Sequence, residues 1–337
     1  MLFASTLIPV RGFTMYKEKI LNLLRSSSPG FISGEELARK CGISRTMVWK
    51  HIKALEREGF GIEAVPSQGY KITIVPDILR LHDIKLGLKT SVIGGKIQFL
   101  SEVASTNTLA MEMAADGTPE GTVVIAETQT GGKGRLGRKW ISPKGNLYLS
   151  VILRPKIPIQ KAPLITLTGA VAVASAIRTT CGLEAGIKWP NDILISGKKV
   201  SGLLTEMSAE QDRIRHIVLG IGVDVNMEMG ELPPDVRSLS TTLAAETEAK
   251  INRTALLQQV LRDLEHWYQK FLGNEEDVLN EWRKLNMTVG NRITVSGAGE
   301  ALDGLAQGVD RDGRLIIRLD DGTIRTVAAG DVTIVKT

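Results

Sequence analysis

The chain has 337 residues, of which 43% are hydrophobic and 23% are charged. This length exceeds the size at which one hydrophobic core stops growing, so two or three domains are expected, and the composition excludes a disordered chain. The net charge of +5 suits an anionic partner without identifying one, because so mild an excess matters only where it is concentrated. Cys41 and Cys181 stand far apart and form no CxxC motif, which predicts free thiols in a reducing cytoplasm.

The N-terminal segment, residues 1–14, is apolar but short, and no basic stretch precedes it. A secretory signal peptide is therefore not indicated, and Met15 is a second candidate start that would make residues 1–14 an extension. From Met15 onward, no apolar run approaches the length of a membrane helix. The sequence thus predicts a cytoplasmic protein with no membrane partner.

Residues 15–75 combine three predicted helices with two short strands. A capping box that starts at Ser33 begins the second helix, and Gly42 lies in a short turn before the third. The two strands alternate around a turn from Pro66 to Gly69, as a wing does after a recognition helix. This segment resembles a winged helix-turn-helix domain.

The third predicted helix carries a basic face. Its buried stripe is formed by Val48, Ile52 and Leu55, and the residues that project elsewhere are Arg45, Thr46, Lys50 and Lys53. Residues 15–75 hold ten Lys and Arg against six acidic residues, so positive charge is concentrated here. We predict that the four projecting side chains bind DNA, the alternative being a solvated helix on an ordinary helical hairpin.

Beyond a predicted helical linker, residues 76–90, strands alternate with helices. At the start of one of these helices, Ser105, Thr106 and Asn107 stand next to one another. A single such residue suffices as a helix cap, which is the alternative interpretation of each. Three adjacent hydrogen-bonding side chains exceed that requirement and indicate a binding role.

The segment GGKGRLGRKW, residues 131–140, is predicted to be a loop between two strands. Glycine-rich segments with Lys and Arg commonly bind phosphate, but no helix follows, as a P-loop or a Rossmann motif would require. Four cations lie within seven residues: Lys133, Arg135, Arg138 and Lys139. Their mutual repulsion and the freedom of the glycines predict a flexible loop that closes on phosphate, the alternative being a solvated basic turn.

Two motifs carry a family resemblance. Residues 132–140, GKGRLGRKW, resemble the GRGRxGRxW signature of biotin protein ligases, and residues 188–192, KWPND, resemble the KWPND signature of the same family. The STN tripeptide at 105–107, Gln129 and the GIGVDVNM segment at 220–227 resemble further family features.

The resemblance covers about residues 15–335. Because a winged helix precedes the catalytic part, the chain resembles the bifunctional form of the family, which is both ligase and repressor of the biotin operon. The chain departs from the family pattern at Lys133, where Arg is frequent, and at Asp224, where Asn is common. Lys133 keeps the positive charge but loses the planar fork of arginine.

The resemblance implies an α+β multidomain fold with a central α/β domain like that of class II synthetases, containing a mixed sheet. The expected parts are a winged helix at 15–75, a linker at 76–90, the catalytic domain at 91–285 and an SH3-like β-barrel at 286–337. Independently, Asp-Gly pairs at 303–304, 312–313 and 321–322 predict successive hairpins in the last part.

The resemblance also implies the reaction and its partners. Biotin would be activated by ATP, with Mg²⁺ accompanying the nucleotide, as biotinyl-5′-AMP, and transferred to a lysine of a biotin carboxyl carrier protein. The adenylate would act as corepressor, and a homodimer would bind operator DNA. No metal site of the protein itself is expected, since His216 and His266 lack metal-ligand spacing.

The implied site residues fall into three overlapping sets. The catalytic candidates are Lys188 and Arg135. The biotin-binding candidates are Ser105, Thr106, Asn107, Gln129, Lys133, Gly134, Arg135 and Lys188. The ATP-binding candidates are Arg135, Arg138, Trp140, Asn191 and Asn226.

Two alternative functions make different predictions for the same sequence. A lipoate or octanoate transfer enzyme of related fold would place a different environment around the lysine and would lack the GKGRLGR loop. A ligand-sensing regulator without ligase activity would not need Lys188 and the loop cations intact.

Overall fold

The computed structural model describes residues 10–211, 213–297 and 301–335, and the chain divides into two compact units between Ile78 and Leu79. Of the segment considered as an N-terminal extension, residues 1–9 lie outside the described residues. Cys41 and Cys181 are both free thiols, as expected.

The N-terminal unit contains three helices followed by an antiparallel hairpin. The elements are α1 (Val10–Ser27), α2 (Gly34–Cys41), α3 (Arg45–Arg57), β1 (Gly61–Val65) and β2 (Gly69–Ile74). Ser33 and Ser44 cap α2 and α3 by accepting hydrogen bonds from the N–H groups of Glu36 and Met47. Gly42 ends α2 in the left-handed region, with φ of 72°, where glycine is favoured.

The start of α1 differs from the expectation. The helix begins at Val10 and not near Met15. The ring of Phe13, in this extra turn, lies 4.2 Å from the ring of His51 on α3. The contact gives the additional turn a packing partner inside the same unit.

A seven-stranded mixed sheet organises the second unit. Its strands are β3 (Ile97–Val103), β4 (Val123–Gln129), β5 (Leu147–Leu153), β6 (Gly186–Lys188), β7 (Asp192–Ile195), β8 (Lys198–Glu210) and β9 (Arg213–Val223). The order across the sheet is β3-β4-β5-β9-β8-β7-β6. Only the β3 and β4 pair is parallel among the described strands, because α5 (Thr106–Ala115) crosses between them.

Helices cover both faces of this sheet. On one face, α5 packs on Val124, Ile152 and Val218. On the other face, the main core gathers around α6 (Pro163–Cys181) and α9 (Arg253–Gly273). The helices of the unit are α4 (Leu81–Gly87), α5, α6 (Pro163–Cys181), α7 (Pro234–Arg237), α8 (Leu243–Thr247), α9 (Arg253–Gly273) and α10 (Glu275–Leu285). Neighbouring positions of each strand serve opposite faces, as the two-residue period of a strand requires.

The segment Ile159–Cys181, which includes α6, is long and apolar enough to cross a membrane by composition alone. This corrects the expectation that no apolar run approaches that length. Twelve residues of α6 are buried, from Leu164 to Ile177, so its apolar character is that of a core helix packed between the sheet and α9.

The C-terminal part is a five-stranded antiparallel sheet of order β13-β12-β11-β10-β14. Its strands are β10 (Arg292–Ser296), β11 (Leu302–Val309), β12 (Leu315–Leu319), β13 (Ile324–Val327) and β14 (Asp331–Ile334). Gly313 and Gly322 turn with φ of 78° and 84°, as the Asp-Gly pairs predict.

The pair Asp303-Gly304 does not form a turn, which corrects that prediction. Both residues lie inside β11, where Asp303 accepts a hydrogen bond from Thr294 on β10. A Cβ at position 304 would lie 2.4 Å from the carbonyl oxygen of Arg318. Glycine is therefore needed at 304 for a close backbone approach between strands, not for a turn.

Candidate functional site

A cavity of about 380 Å³ lies where the start of α5, the glycine-rich loop and strands β7, β8 and β9 converge. It brings together ten of the residues selected from the sequence: Ser105, Thr106, Asn107, Gln129, Lys133, Gly134, Arg135, Arg138, Trp140 and Asn191. Residues separated by about a hundred positions thus face one volume.

One part of the cavity lining is built from neutral polar groups. The backbone N–H and the hydroxyl of Thr106 donate to Gln129 Oε1 at 2.8 and 3.1 Å. Ser150 Oγ lies 2.8 Å from Thr106 Oγ1 and 2.6 Å from Asn107 Oδ1. These side chains are buried apart from Gln129, which is half-buried, so their mutual bonds fix donors and acceptors in place.

Asn107 and Ser105 contribute differently to this end. The amide of Asn107 donates to Glu206 Oε2 at 2.9 Å, and a Cβ at Gly220 would lie 2.1 Å from Asn107 Oδ1. Ser105 accepts from the N–H of Thr108 and caps α5. The capping interpretation therefore applies to Ser105, while Thr106 and Asn107 bond across the fold.

Another part of the cavity lining is the glycine-rich loop. Residues 135–137 form one short turn, in which Leu136 has a φ of 55°, and the N–H of Gly134 donates to the carbonyl of Arg138 at 2.7 Å. Lys133 and Lys139 pair as an isolated antiparallel bridge. The loop is thus a compact hairpin in this structure, with its cations brought close together.

Arg135 joins this loop to the rest of the site. Its guanidinium donates to Asn191 Oδ1 at 3.0 Å and to the carbonyl of Gly330 at 3.2 Å, and Arg138 forms an ion pair with Asp331 on β14. Burial lowers the pKa of Arg135, and nearby Asp192 opposes that shift. The loop is therefore anchored both on the catalytic sheet and on the C-terminal sheet.

Lys188 stands at the end of β6 and is held by a carboxylate. Its Nζ lies 3.1 Å from Asp192 Oδ2, while Lys199 Nζ lies 2.5 Å from Asp192 Oδ1. Burial acts to raise the pKa of Asp192, but the two ammonium groups prevail and hold it below its usual value. Asp192 and Lys199 line the cavity, whereas Lys188 does not and contacts the lining through its ion pair with Asp192. The catalytic and biotin-binding roles of Lys188 therefore stay predictions.

The segment after Lys188 is fixed by the buried Trp189. Its indole N–H donates to the carbonyl of Gly313 at 3.0 Å, and its backbone N–H donates to Thr288 at 2.9 Å. Asn191 donates to the carbonyl of Leu203 on β8. These bonds hold Lys188 and Asn191 in defined positions beside the loop.

Trp140 lies flat on two strands. A Cβ at Gly202 or Gly222 would stand 2.8 or 2.6 Å from atoms of its ring, and Lys199 Nζ lies 5.2 Å from the ring centroid. The glycines of β8 and β9 therefore leave room for an aromatic floor, which a cation borders.

Two residues of the GIGVDVNM segment differ in their roles. Asp224 lines the cavity, accepts from Asn146, and has its pKa raised to about 8 by burial, which Lys199 opposes. Asn226 instead exchanges two hydrogen bonds with the backbone of Ile251. The ATP contact of Asn226 stays a prediction, since its side chain does not line this cavity.

Sequence reasoning assigned no role to several residues of the site. These are Ser150, Asp192, Lys199, Asp224 and Asp331. Asp192 and Asp224 lie inside recognised motifs, which is the signal that could have found them. Lys199 and Asp331 are brought to the site by the pairing of strands. This pairing cannot be predicted from the sequence alone.

In the N-terminal unit, α3 presents the side chains selected for DNA binding. Arg45, Thr46 and Lys50 are exposed, and the half-buried Lys53 pairs with Glu56 at 2.7 Å. The opposite side of α3 is buried at Val48, Ile52 and Leu55.

The two units together define a class of protein. A helical module with an exposed basic helix is joined to an α/β enzyme domain, whose cavity is lined both by neutral polar groups and by a cation-rich loop. Such a cavity suits a ligand that has an uncharged polar part and that reacts at a negatively charged group.

Comparisons with known proteins identify the family. The chain matches an HTH domain over residues 17–71, the biotin/lipoate A/B protein ligase family over 100–224, and the biotin protein ligase C terminal domain over 288–335. It is 37% identical over 318 residues to the bifunctional ligase/repressor BirA of Bacillus subtilis, covering 94% of this chain and 98% of that protein. The chain belongs to the family of bifunctional biotin protein ligases and repressors.

Other relatives agree. The bifunctional ligase/repressor BirA of Escherichia coli is 29% identical over 320 residues, covering 94% of this chain and 96% of that protein. A biotin protein ligase structure from Aquifex aeolicus, in complex with biotin and ATP, matches with a TM-score of 0.62 and 28% identity, covering 72% of this chain and all of that one. The expected helix-turn-helix module, ligase fold with a mixed sheet and C-terminal antiparallel sheet are confirmed.

Proposed function

We propose that this protein activates biotin with ATP as biotinyl-5′-AMP, transfers the biotinyl group to a lysine of a biotin carboxyl carrier protein, and represses biotin synthesis genes in response to biotin. Family membership supports both activities. One structural observation carries the catalytic assignment: the neutral network of Thr106, Gln129 and Asn107 and the cationic loop face one cavity.

The neutral part of the lining suits the ureido head of biotin. The head has no charge but carries both N–H donors and a carbonyl acceptor, and the amide and hydroxyl groups around Thr106 supply both complements. Buried hydrogen-bonding groups that are held in place discriminate strongly between ligands. A ligand that left these groups unpaired would bind more weakly, because their desolvation would not be compensated by hydrogen bonds. Ser105, Thr106, Asn107 and Gln129 are the groups proposed to bind it.

The cations of the loop suit the reacting groups. A biotin carboxylate oxygen attacks the α-phosphorus of ATP, the bond to the β-phosphate oxygen breaks, and pyrophosphate leaves with its electron pair. Negative groups converge in this step, so Arg135 and Lys188 are proposed to stabilise the developing charge, with Lys133 and Arg138 nearby. ATP enters with its Mg²⁺, which screens the phosphates.

Transfer completes the reaction. The lysine amine of the carrier attacks the acyl carbon of the adenylate, AMP leaves, and the amine loses a proton. Trp140 and Asn191 are proposed to hold the nucleotide, since both line the cavity beside Arg135. Closure of the loop keeps water from the adenylate until the carrier arrives.

We propose a finer description of two parts of the fold. The five antiparallel strands at the C-terminus are proposed to form an SH3-like barrel, supported by the order in which β10 pairs with both β11 and β14. The seven-stranded sheet with α6 and α9 on one face is proposed to be similar to that of class II synthetases.

For repression, we propose a cytoplasmic homodimer on operator DNA, with the adenylate as corepressor. A single helix-turn-helix makes few base contacts, so two half-sites raise the effective concentration of the second module. The exposed cations Arg45 and Lys50 on α3 support DNA as the partner.

The enzyme activity is tested by incubating the full-length protein with ATP, hydroxylamine and either biotin or lipoate, and by transfer of labelled biotin to a biotin carboxyl carrier protein. We expect biotinyl hydroxamate and labelled carrier. Activation of lipoate in place of biotin would contradict the substrate assignment. DNA binding that requires biotin, without any transfer of biotin, would contradict the assignment as a ligase and favour a ligand-sensing regulator.

A further inference from the structure

Trp49 is an exposed aromatic side chain on α3. Its exposed fraction is 51%, and it makes no ring stacking or cation contact with another residue that the structure describes. Tryptophan is highly buried on average because its ring is large and apolar. An isolated exposed apolar residue does not by itself indicate a function. The evidence for a function of Trp49 is therefore its position on the helix.

The ring stands within the basic face of α3. Trp49 lies one helical turn after Arg45 and one turn before Lys53, with Thr46 and Lys50 on adjacent positions. It therefore occupies the centre of the surface proposed to meet DNA. It also lies in the first half of the helix, the half that contacts base edges in helix-turn-helix complexes.

Charge on this face favours a polyanion. Arg45 and Lys50 are exposed on either side of Trp49. The acidic residue within α3, Glu56, stands nearer its C-terminal end and is paired with Lys53. Cations around an apolar ring match the major groove of DNA, in which phosphates border the base edges.

We infer that Trp49 packs its indole ring against the 5-methyl group of a thymine in the operator. The inference rests on the proposed binding of DNA by α3. The thymine methyl is the apolar group that base pairs present in the major groove, and apolar side chains read it by contact. The cations hold the helix on phosphates, which carry no sequence information directly. Trp49 thus provides sequence preference, and Arg45 and Lys50 provide affinity.

The test uses the full-length protein with biotin and ATP. Wild type, Trp49→Ala, Trp49→Phe and Lys50→Ala each select binding sites from random-sequence duplexes, and each thymine of the wild-type site is then replaced by uracil, which lacks only the methyl group. We expect one thymine at which uracil weakens wild-type binding by roughly three- to fivefold, as one buried methyl group predicts. Trp49→Ala should bind both duplexes equally, and Trp49→Phe should keep part of the difference.

Lys50→Ala is the matched control, because the neighbouring residue is also exposed and has no thymine contact in this proposal. It should weaken binding to both duplexes alike and lower the salt dependence, with the thymine preference intact. Urea unfolding with wild-type transitions verifies that each full-length variant is folded, because biotin transfer reports only on the second unit.

The outcomes separate the inference from the function beneath it. If Trp49→Ala keeps the wild-type ratio between thymine and uracil duplexes, or if wild type shows no difference at any thymine, the inference is overturned while DNA binding stands. If wild type selects no sequence although it transfers biotin, the repressor assignment fails and the inference with it.

Discussion

Asp192 forms ion pairs with two lysines, Lys188 and Lys199. A substitution of Lys188 can therefore affect catalysis without lowering the stability of the fold. Lys199 lies closer to the carboxylate than Lys188 does, so Lys188→Ala leaves Asp192 paired and the fold intact. Loss of a cation aimed at developing charge costs about 2 to 4 kcal/mol, or roughly thirty- to a thousandfold in rate. We expect this loss in biotin-dependent pyrophosphate exchange, with unfolding unchanged. Lys198→Ala, a nearby exposed lysine, is the control, and undiminished exchange in Lys188→Ala would remove Lys188 from the mechanism.

Asp224 makes a second prediction at the residue scale, concerning pH. Burial raises its pKa to about 8, above the value of about 3.9 expected in the unfolded chain. The folded state therefore binds the proton of Asp224 more tightly than the unfolded chain does. The contribution of this proton to the free energy of unfolding is full below about pH 4 and is lost as the pH rises through about 8. Asp224→Asn should be more stable than wild type by a margin that grows over that window and levels above it, measured by urea unfolding. A constant margin would contradict the proton on Asp224.

At the scale of elements, the glycine-rich loop acts through its anchors. Arg135 bonds Asn191 and the carbonyl of Gly330, so Arg135→Ala removes a cation and also loosens the loop. We expect faster leakage of biotinyl-5′-AMP into water from the variant, measured as ATP consumed per biotin transferred. Leu136→Ala is the control, because this side chain is 57% exposed and should have a mild effect. Biotin with ATP should also protect Lys133 to Lys139 from protease in wild type, and unaltered cleavage would contradict loop closure.

How far the sequence predicts each element depends on the range of the interactions that form it. Ser33, Gly42 and Ser44 were predictable because caps and turns are decided by neighbouring residues. Gly304 was misassigned because its requirement comes from the carbonyl of Arg318 on another strand. The same holds for Gly202 and Gly222 beneath Trp140, and for the ion pair that Lys199 makes with Asp192. Motifs located the cavity, but only strand pairing shows which charges share it.

At the scale of the whole molecule, two separate cores underlie two separable functions. The core of the N-terminal unit gathers buried residues between Ile20 and Ile72, and the main core of the second unit begins at Leu79. Exposed substitutions on α3 therefore should not disturb the cavity residues. The double variant Lys50→Ala, Lys53→Ala should bind the operator much more weakly than wild type and transfer biotin at the wild-type rate. Lys50 should account for most of the loss, because Lys53 is engaged by Glu56.

Salt dependence measures the same prediction quantitatively. Each lost phosphate contact lowers the slope of log affinity against log salt by about one unit. The double variant loses up to two contacts in each protomer, so the residual binding of a dimer should show a slope lower by up to about four. Gel shifts over a series of salt concentrations, with biotin and ATP present, measure the slope, and omission of biotin and ATP should abolish binding by wild type. Equal binding by wild type and the double variant, or wild-type binding that is independent of biotin and ATP, would contradict repression through α3 by a biotin-dependent dimer.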